Sequence, residues 1–253
     1  AVTINESIEG GEIAAEQTIC TGGDPEAFTS VSAASGADAI SYQWQSSADG
    51  LSFEDISGET GLTYDPGVLT QDTWFQRVAT REGAGAGECN SAASNMLKVT
   101  VVPDPIITAQ PQGTEVCLNG GATLNVSASG GTGSFSYQWQ SATEETGPFA
   151  NIGGEVESSF NAPTGVAGTV FYRVVVSNDG NGCTDVTSTV ARVIVIDVDG
   201  GEISGTQAIC SGGTPTELLS VSEATPSGGV SYQWMASTDQ VDYENISGAN
   251  SAS

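Results

Sequence analysis

Hydrophobic and polar residues alternate along several short segments of the chain. Ile40, Tyr42 and Trp44 alternate with serine and glutamine, and the same alternation leads up to Trp139 and Trp234. A period of two residues is typical of a β-strand with one buried face. Further β-branched runs predict additional strands at 73–80, 96–102, 169–177 and 191–196. Because no segment combines helical periodicity with helical length, the pattern predicts an all-β protein.

Three tryptophans mark an internal repeat. Trp44, Trp139 and Trp234 are spaced by 95 residues, and they stand in the strings SYQWQ, SYQWQ and SYQWM. Residues 10–58 align without a gap on residues 200–248, whereas the middle copy is more divergent. A repeat of this length with about seven short strands and a buried tryptophan is typical of an immunoglobulin-like sandwich. The sequence therefore predicts tandem immunoglobulin-like β-sandwich domains in a linear array, each with one of these tryptophans in its core.

The repeat also predicts the domain boundaries. Residues 1–5 resemble the tail of a preceding domain, and three domains follow at 6–102, 103–197 and 198–253. The third copy stops at the position that aligns with residue 63, before the equivalents of the last strands of the first copy. Half a sandwich leaves its inner face open and does not offset the entropy lost on folding. We therefore expect further domains of the same chain, or another chain, to complete this domain.

Five cysteines recur at two positions of the repeat. Cys20, Cys117 and Cys210 open the copies, whereas Cys89 and Cys183 lie between the last two strands of copies one and two. These positions predict a disulfide within each domain, Cys20 to Cys89 and Cys117 to Cys183, and leave Cys210 unpaired by truncation. Free buried thiols or a metal cluster are the alternative, which the lack of a CxxC spacing disfavours. Disulfides imply an exported protein.

The charge balance excludes whole classes of function. The 253 residues include 31 Asp and Glu, only 5 Lys and Arg, and no histidine, for a formal net charge of −26 at pH 7. Such a surface repels nucleic-acid phosphates and anionic lipid headgroups, so we expect no nucleic-acid binding. Because no apolar run is long enough for a transmembrane helix, we expect no membrane insertion either. Without histidine, the chain alone cannot form a Ser-His-Asp triad, a Cys-His pair or a histidine zinc site.

Four of the five basic residues fall in predicted strands at matched spacings. Arg77 and Arg173 align at an offset of 96, and Lys98 and Arg192 align at an offset of 94. We expect each of them to lie on a sheet face, paired with a carboxylate or covering an aromatic ring. A ligand-binding arginine is the less favoured alternative, because ligand sites favour loops over framework strands.

Acidic residues cluster where the predicted domains meet. Asp197, Asp199 and Glu202 lie between the second and third copies, and Asp104 lies between the first and second. Calcium takes six to eight oxygen ligands, so these carboxylates predict a calcium site that would stiffen the joints. The segment 178–185 offers further oxygens but departs from a full EF-hand loop. A solvated acidic surface is the alternative, and the sequence favours it.

Two ligand-directed functions compete with a purely structural one. Paired carboxylates serve glycosidases without histidine, but no cleft-forming insertion interrupts the repeats, so we expect no enzyme. A carbohydrate- or surface-binding module needs an exposed aromatic platform. Trp74 is the one tryptophan outside the repeated core set, and a tryptophan in a strand is more often packed than presented.

The strings ICTGG, YQWQSSADGLSFEDISGETG, TWFQRVAT and CNSAASNMLKVTV resemble the immunoglobulin-like and PKD-like repeats of very large cell-surface proteins in Bacteroidota-type bacteria. These proteins include gliding-motility adhesins related to SprB and other type IX secretion substrates. The resemblance covers essentially the whole chain, and it implies export, calcium-rich surroundings and a long string of domains at the cell surface. From it we expect a non-catalytic structural segment of an extracellular adhesin or filament. Such a segment would extend an adhesive element toward an external surface or polysaccharide, with other copies as filament partners.

Overall fold

The computed structural model describes residues 7–36, 39–82, 90–225 and 230–251. Throughout these residues the regular elements are β-strands, which confirms the predicted all-β class. The strands form two sandwiches and part of a third in tandem along the chain. Within the same residues, no helix is long and apolar enough to cross a membrane. The predicted tail at residues 1–5 lies outside the described residues.

Domain 1 comprises the described residues up to Val102. Its strands are β1 (Glu12–Ala14), β2 (Gln17–Cys20), β3 (Thr29–Ser32), β4 (Ile40–Ser47), β5 (Glu54–Asp55), β6 (Thr73–Arg81), β7 (Ser91–Ala93) and β8 (Leu97–Val102). The larger sheet has the order β2-β8-β6-β4-β5, and β7 also pairs with β6. Strand β2 runs parallel to β8, and the remaining pairs are antiparallel. The antiparallel pair β1–β3 belongs to the opposing layer.

Domain 2 follows from Pro103 and repeats this topology. Its strands are β9 (Ile106–Ala109), β10 (Thr114–Cys117), β11 (Thr123–Asn125), β12 (Ser127–Ser129), β13 (Phe135–Ala142), β14 (Ala150–Asn151), β15 (Ser159–Asn161), β16 (Gly168–Asn178), β17 (Val186–Thr187) and β18 (Ala191–Ile196). The larger sheet has the order β10-β18-β16-β13-β14 with β17 on β16, and β10 is parallel to β18. The pairs β9–β12 and β11–β15 form the opposing layer. Two layers with this strand order form an immunoglobulin-like sandwich.

Domain 3 has only part of the sandwich in the described residues. Its strands are β19 (Glu202–Ile203), β20 (Ser220–Ser222), β21 (Met235–Ala236) and β22 (Glu244–Asn245). They form two separate two-stranded pairs. Tyr243 is 54% exposed, and Trp234, which the repeat predicts as a core residue, is only half-buried. Both rings line an open pocket together with Ile203 and Ser220 of the β19–β20 pair.

Each of the first two domains has its own aromatic core. In domain 1, Trp44 is fully buried and stacks on Phe28 with ring centroids 5.8 Å apart. In domain 2, Trp139 is fully buried and its ring lies 5.3 Å from that of Phe160. The side chains that pack around these rings come from both layers, which fits the alternation of buried and exposed positions along the strands.

The glutamine before each repeated tryptophan forms hydrogen bonds that connect the tryptophan strand to the turn that follows it. The Nε2 atom of Gln43 donates to the carbonyl oxygens of Trp44 and Ile56, at 2.9 and 2.6 Å. Gln138 makes the same two bonds in domain 2, and Gln233 makes them in domain 3. The repeated Tyr-Gln-Trp string therefore encodes a buried ring and, beside it, a hydrogen-bond clamp.

The two arginines that align in the sequence occupy different positions in the fold. Arg77 lies opposite Trp44 in the strand pairing, whereas Val174 lies opposite Trp139. The predicted equivalence of Arg77 and Arg173 is therefore wrong by one residue. A shift of one residue in a strand moves a side chain to the other face of the sheet. Arg77 points into domain 1, and Arg173 lies on the outer face of domain 2.

The environments of these two arginines follow from their faces. Arg77 is fully buried, with its guanidinium 4.7 Å from the Tyr42 ring and its Nη atoms donating to Ser30 Oγ and to the carbonyl oxygens of Leu62 and Ser32. Burial lowers the pKa of Arg77 from its ordinary value. On the outer face, Arg173 covers the Phe149 ring at 4.2 Å. Both cations thus cover an aromatic ring, as expected.

Replacing Gln43 by leucine removes the donor that serves the carbonyl oxygens of Trp44 and Ile56. We expect the free energy of unfolding of domain 1 to fall by roughly 0.5–1.5 kcal/mol, the net worth of a lost hydrogen bond, because both carbonyls keep a backbone donor, the amides of Ile56 and Glu59. Urea unfolding followed by tryptophan fluorescence measures this change. Gln76→Leu is the control, because Gln76 donates to Gln45 on the outer face, and it should cost less than about 0.5 kcal/mol. Equal losses from both variants would contradict the clamp.

Candidate functional site: a covalent joint between domains

Cys20 ends β2 at the pole of domain 1 that faces domain 2. Because β2 is parallel to β8, Cys20 lies level with Val102, the last residue before the linker. A tight turn follows, in which the Gly23 amide donates to the Cys20 carbonyl at 2.9 Å. Gly22 has a φ of +83°, the left-handed conformation that glycine adopts without steric cost. The turn presents the Cys20 backbone and side chain to the neighbouring domain.

The loop between β16 and β17, residues 179–185, supplies the other half of the joint. It lies at the end of domain 2 that faces domain 1, where Asn178 Oδ1 accepts from the amides of Gly133 and Gly180 at 3.0 and 2.9 Å. The Thr184 amide donates to Asp104 Oδ1 in the linker at 3.1 Å. These bonds hold the loop against both its own domain and the linker.

The two halves meet through backbone groups and a disulfide. The Cys20 amide donates to the Asn181 carbonyl at 2.8 Å, and Asn181 Nδ2 donates to the Asp24 carbonyl at 2.6 Å. The sulfur atoms of Cys20 and Cys183 form a disulfide, with Cα atoms 4.9 Å apart and a sequence separation of 163. The bond therefore links domain 1 to domain 2, and Cys20 is fully buried there.

This bond replaces the predicted pairing within each domain. The pairing of Cys117 with Cys183 is wrong, since Cys183 is bonded to Cys20 and Cys117 is free and exposed. The pairing of Cys20 with Cys89 is wrong for the same reason, although Cys89 itself lies outside the described residues. Cys210 is free and exposed, in a domain that the described residues complete only in part.

Strand direction explains why pairing within a domain fails. In domain 2, Cys117 lies level with Ile196 and close to the start of β16, whereas Cys183 follows the end of β16. At about 3.3 Å per residue, the length of β16 separates the two by about 30 Å. A disulfide requires Cα atoms within about 7 Å. Repeat position alone does not reveal this separation, because it carries no information on which pole of the sandwich each cysteine occupies.

The predicted calcium ligands are not gathered into one cluster in the described residues, and calcium binding at the joints stays a prediction. The described residues contain no group of three or more carboxylates or thiolates placed to hold a metal ion. Asp104 accepts from the Thr184 amide, and Asp199 accepts from the Gly201 amide at 3.0 Å. Asp199 is thus the acceptor of a local turn, whereas Asp104 connects the linker to the β16–β17 loop.

Trp74, on the outer face of domain 1, is not an open aromatic platform. Trp74 is half-buried, the Lys98 ammonium lies 4.9 Å from its ring, and Gly50 packs against the same ring. Lys98 also pairs with Asp72 at 2.6 Å, and this hydrogen bond, together with one from the Val101 amide, lowers the pKa of Asp72. Lys98 and Arg192 are equivalent in the fold, lying opposite Trp74 and Phe171.

A serine-aspartate turn after the tryptophan strand recurs in the first and third copies. Asp49 Oδ1 accepts from the amides of Leu51 and Ser52, and Asp239 accepts from those of Val241 and Asp242. These amide hydrogen bonds favour the carboxylate form, so they lower the pKa of Asp49 and lower that of Asp239 to about 2. Both carboxylates are therefore charged structural acceptors at neutral pH.

The family described as Domain of unknown function (DUF8696) matches the chain three times in succession, over residues 9–103, 108–197 and 199–253. The chain belongs to this family. Each DUF8696 match contains one tryptophan of the Tyr-Gln-Trp string and one cysteine of the turn that begins the joint. A search of curated proteins finds no match.

Several solved structures resemble the chain. The three N-terminal domains of Hoc, the highly immunogenic outer capsid protein of bacteriophage RB49, share 11% identity over 73% of this chain and 68% of that one, with a TM-score of 0.43. An I-band fragment of titin shares 12% identity over 76% and 64%, with a TM-score of 0.40. The tandem immunoglobulin repeats of Dlar share 17% identity over 74% and 97%, with a TM-score of 0.31. At this similarity none of them assigns a function to the DUF8696 chain.

Gly182 tests the packing of the joint. A Cβ atom on Gly182 would overlap the Cα of Gly23 and lie 2.7 Å from its nitrogen, so Gly182→Ala should push the two domains apart. We expect faster cleavage of the linker in limited proteolysis and faster reduction of the disulfide. Gly154→Ala is the matched control, because Gly154 has a similar φ of +83° but open space around it. If both variants were cleaved and reduced at the same rate, the effect would come from backbone strain and not from the joint.

Peptide mapping without reductant tests the disulfide directly. Digestion of the oxidised protein at acidic residues should yield a peptide pair that links Cys20 to Cys183, and the pair should disappear after reduction. Closing a loop of 163 residues restricts the unfolded chain by about 5 kcal/mol in the chain-entropy account, so reduction should also lower the melting temperature. Recovery of Cys20 linked to Cys89 would contradict the joint.

Proposed function

We propose that the chain is a non-catalytic, load-bearing spacer segment of an extracellular adhesin or surface filament. The observation that carries the proposal is the disulfide between Cys20 and Cys183, which joins two sandwiches end to end. Tandem immunoglobulin-like domains usually serve structural and surface roles, and a disulfide suits an extracellular location. The resemblance to bacterial cell-surface repeats supports a bacterial surface as the setting.

The disulfide lets a pulling force bypass the residues between Cys20 and Cys183. A pull applied at both ends passes along the chain to Cys20, crosses the bond to Cys183 and leaves through β17 and β18. The residues between the two cysteines lie outside this route, and they include most of both cores. Under load, the segment can lengthen only by the residues that precede Cys20 and follow Cys183.

The joint itself consists mainly of neutral groups. Its direct contacts are the disulfide, the amide bonds of Cys20 and Asn181, and the close approach of Gly23 and Gly182. A chain with a net charge of −26 repels its own neighbouring domains, and salt screens this repulsion. A covalent bond between the domains holds at any ionic strength, which suits a segment exposed to changing external salt.

Single-molecule stretching of the chain between its two termini tests the load-bearing role. Breaking the disulfide adds 163 residues to the stretched path, so the fully extended reduced chain should be longer than the oxidised chain by about 570 Å, at roughly 3.5 Å per residue. The double variant Cys20→Ser with Cys183→Ser should reach the reduced length without reductant.

The control for this experiment is the double variant Cys117→Ser with Cys210→Ser, which keeps the joint and should extend no further than the oxidised chain. If the oxidised chain and the variant lacking Cys20 and Cys183 reached the same length, the load-bearing role would be refuted. Electron microscopy of the intact surface protein should in addition show a thin beaded fibre. A compact particle with polysaccharide hydrolase activity would instead favour an enzyme.

A further inference from the structure

The turn at Cys117 reproduces the turn at Cys20 bond for bond. The Leu118 amide donates to the Ile196 carbonyl at 2.8 Å, as the Thr21 amide does to Val102. The Asn119 amide donates to the Thr164 carbonyl at 2.8 Å, which matches the bond from Gly22 to Leu69. The carbonyl of each cysteine accepts from the third residue after it, at 2.8 Å from Gly120 and 2.9 Å from Gly23.

The backbone conformation of the two turns also agrees. Asn119 has a φ of +61° where Gly22 has +83°, and asparagine is among the few other residues that adopt the left-handed region readily. Both cysteines end a strand parallel to the last strand of their domain, Cys20 level with Val102 and Cys117 level with Ile196. Cys117 therefore stands at the pole of domain 2 that leads into domain 3.

The two cysteines differ in what covers them. Cys20 is fully buried beneath the β16–β17 loop of domain 2, whereas Cys117 is exposed. The loop that would cover Cys117 is the equivalent loop of the third copy. By the repeat period its cysteine would fall about 95 residues after Cys183, beyond the 253 residues of the sequence.

We propose that Cys117 is the bonding site for the cysteine in the equivalent loop of domain 3, so that each domain of the array is linked to the next by the same disulfide. The partner is a thiol presented in a glycine-rich turn like Asn181-Gly182-Cys183, which approaches the cysteine turn with its backbone. Cys210 would begin the joint between domain 3 and the domain after it. Its carbonyl accepts from the Gly213 amide at 2.9 Å, and Gly212 has a φ of +82°.

The bond forms by thiol–disulfide exchange with a disulfide-bearing oxidant of the export compartment. The Cys117 thiolate attacks the oxidant's disulfide and forms a mixed disulfide. The thiolate of the partner cysteine then attacks the Cys117 sulfur and releases the oxidant as a dithiol. Two thiol protons and two electrons leave the protein in this exchange, and one S–S bond is gained.

Peptide mapping of the full-length protein, isolated without reductant and alkylated at low pH, tests the proposal. We expect Cys117 in a peptide pair with a loop cysteine of domain 3, alongside the Cys20–Cys183 pair as internal reference. Cys117 recovered as the alkylated thiol while Cys20–Cys183 is bonded would overturn the proposal. A bond from Cys117 to Cys210, or to Cys117 of a second copy, would overturn it too. None of these outcomes depends on the adhesive role.

Limited proteolysis of single variants of the same protein adds an independent readout. Cys117→Ser should speed cleavage in the segment 197–200 and leave the linker after Val102 protected. Cys20→Ser should do the reverse, because it opens the first joint alone. If Cys117→Ser left both segments protected, Cys117 would have no part in a joint.

Discussion

The parallel pairing of β2 with β8 is the constraint on which the joint depends. Because β8 runs straight into the linker, the end of a strand parallel to it reaches the same pole, and Cys20 comes level with Val102. An antiparallel strand would place its end at the far pole of the domain, well beyond the reach of Cys183. Strand direction thus decides between a disulfide inside one domain and a disulfide between two.

Glycines allow the backbones of the two poles to come into direct contact. Gly182 approaches Gly23 so closely that no side chain fits between them, and the left-handed Gly22 turns the chain after Cys20. The linker carboxylate of Asp104 accepts from the Thr184 amide. A strongly anionic chain thereby builds a contact between like-charged domains from backbone groups and a covalent bond, and the covalent bond holds at any salt concentration.

The repeats share a framework but not every core residue. The tryptophan, its glutamine clamp and the cysteine turn recur in all three copies. By contrast, the position opposite the core tryptophan is Arg77 in domain 1 and Val174 in domain 2. The sandwich accepts either side chain because Arg77 is hydrogen-bonded and covers Tyr42. Sequence alignment matches Arg77 with Arg173 because both are arginines. The strand pairing shows that the equivalent of Arg77 is Val174, one residue later.

The amino-acid sequence by itself determines the all-β class, the tandem repeat and the buried Trp44 and Trp139. Alternation of hydrophobic and polar residues and the spacing of the repeat can be read directly along the chain. The sequence also predicts that the repeated basic residues pair with a carboxylate or cover an aromatic ring, as Arg77, Lys98 and Arg173 do. The partner of Cys20 and the use of Asp104 as an acceptor for a backbone amide were decided only by the tertiary structure. Both depend on which ends of strands meet in space, and that follows from strand direction and domain order, which residue spacing does not contain.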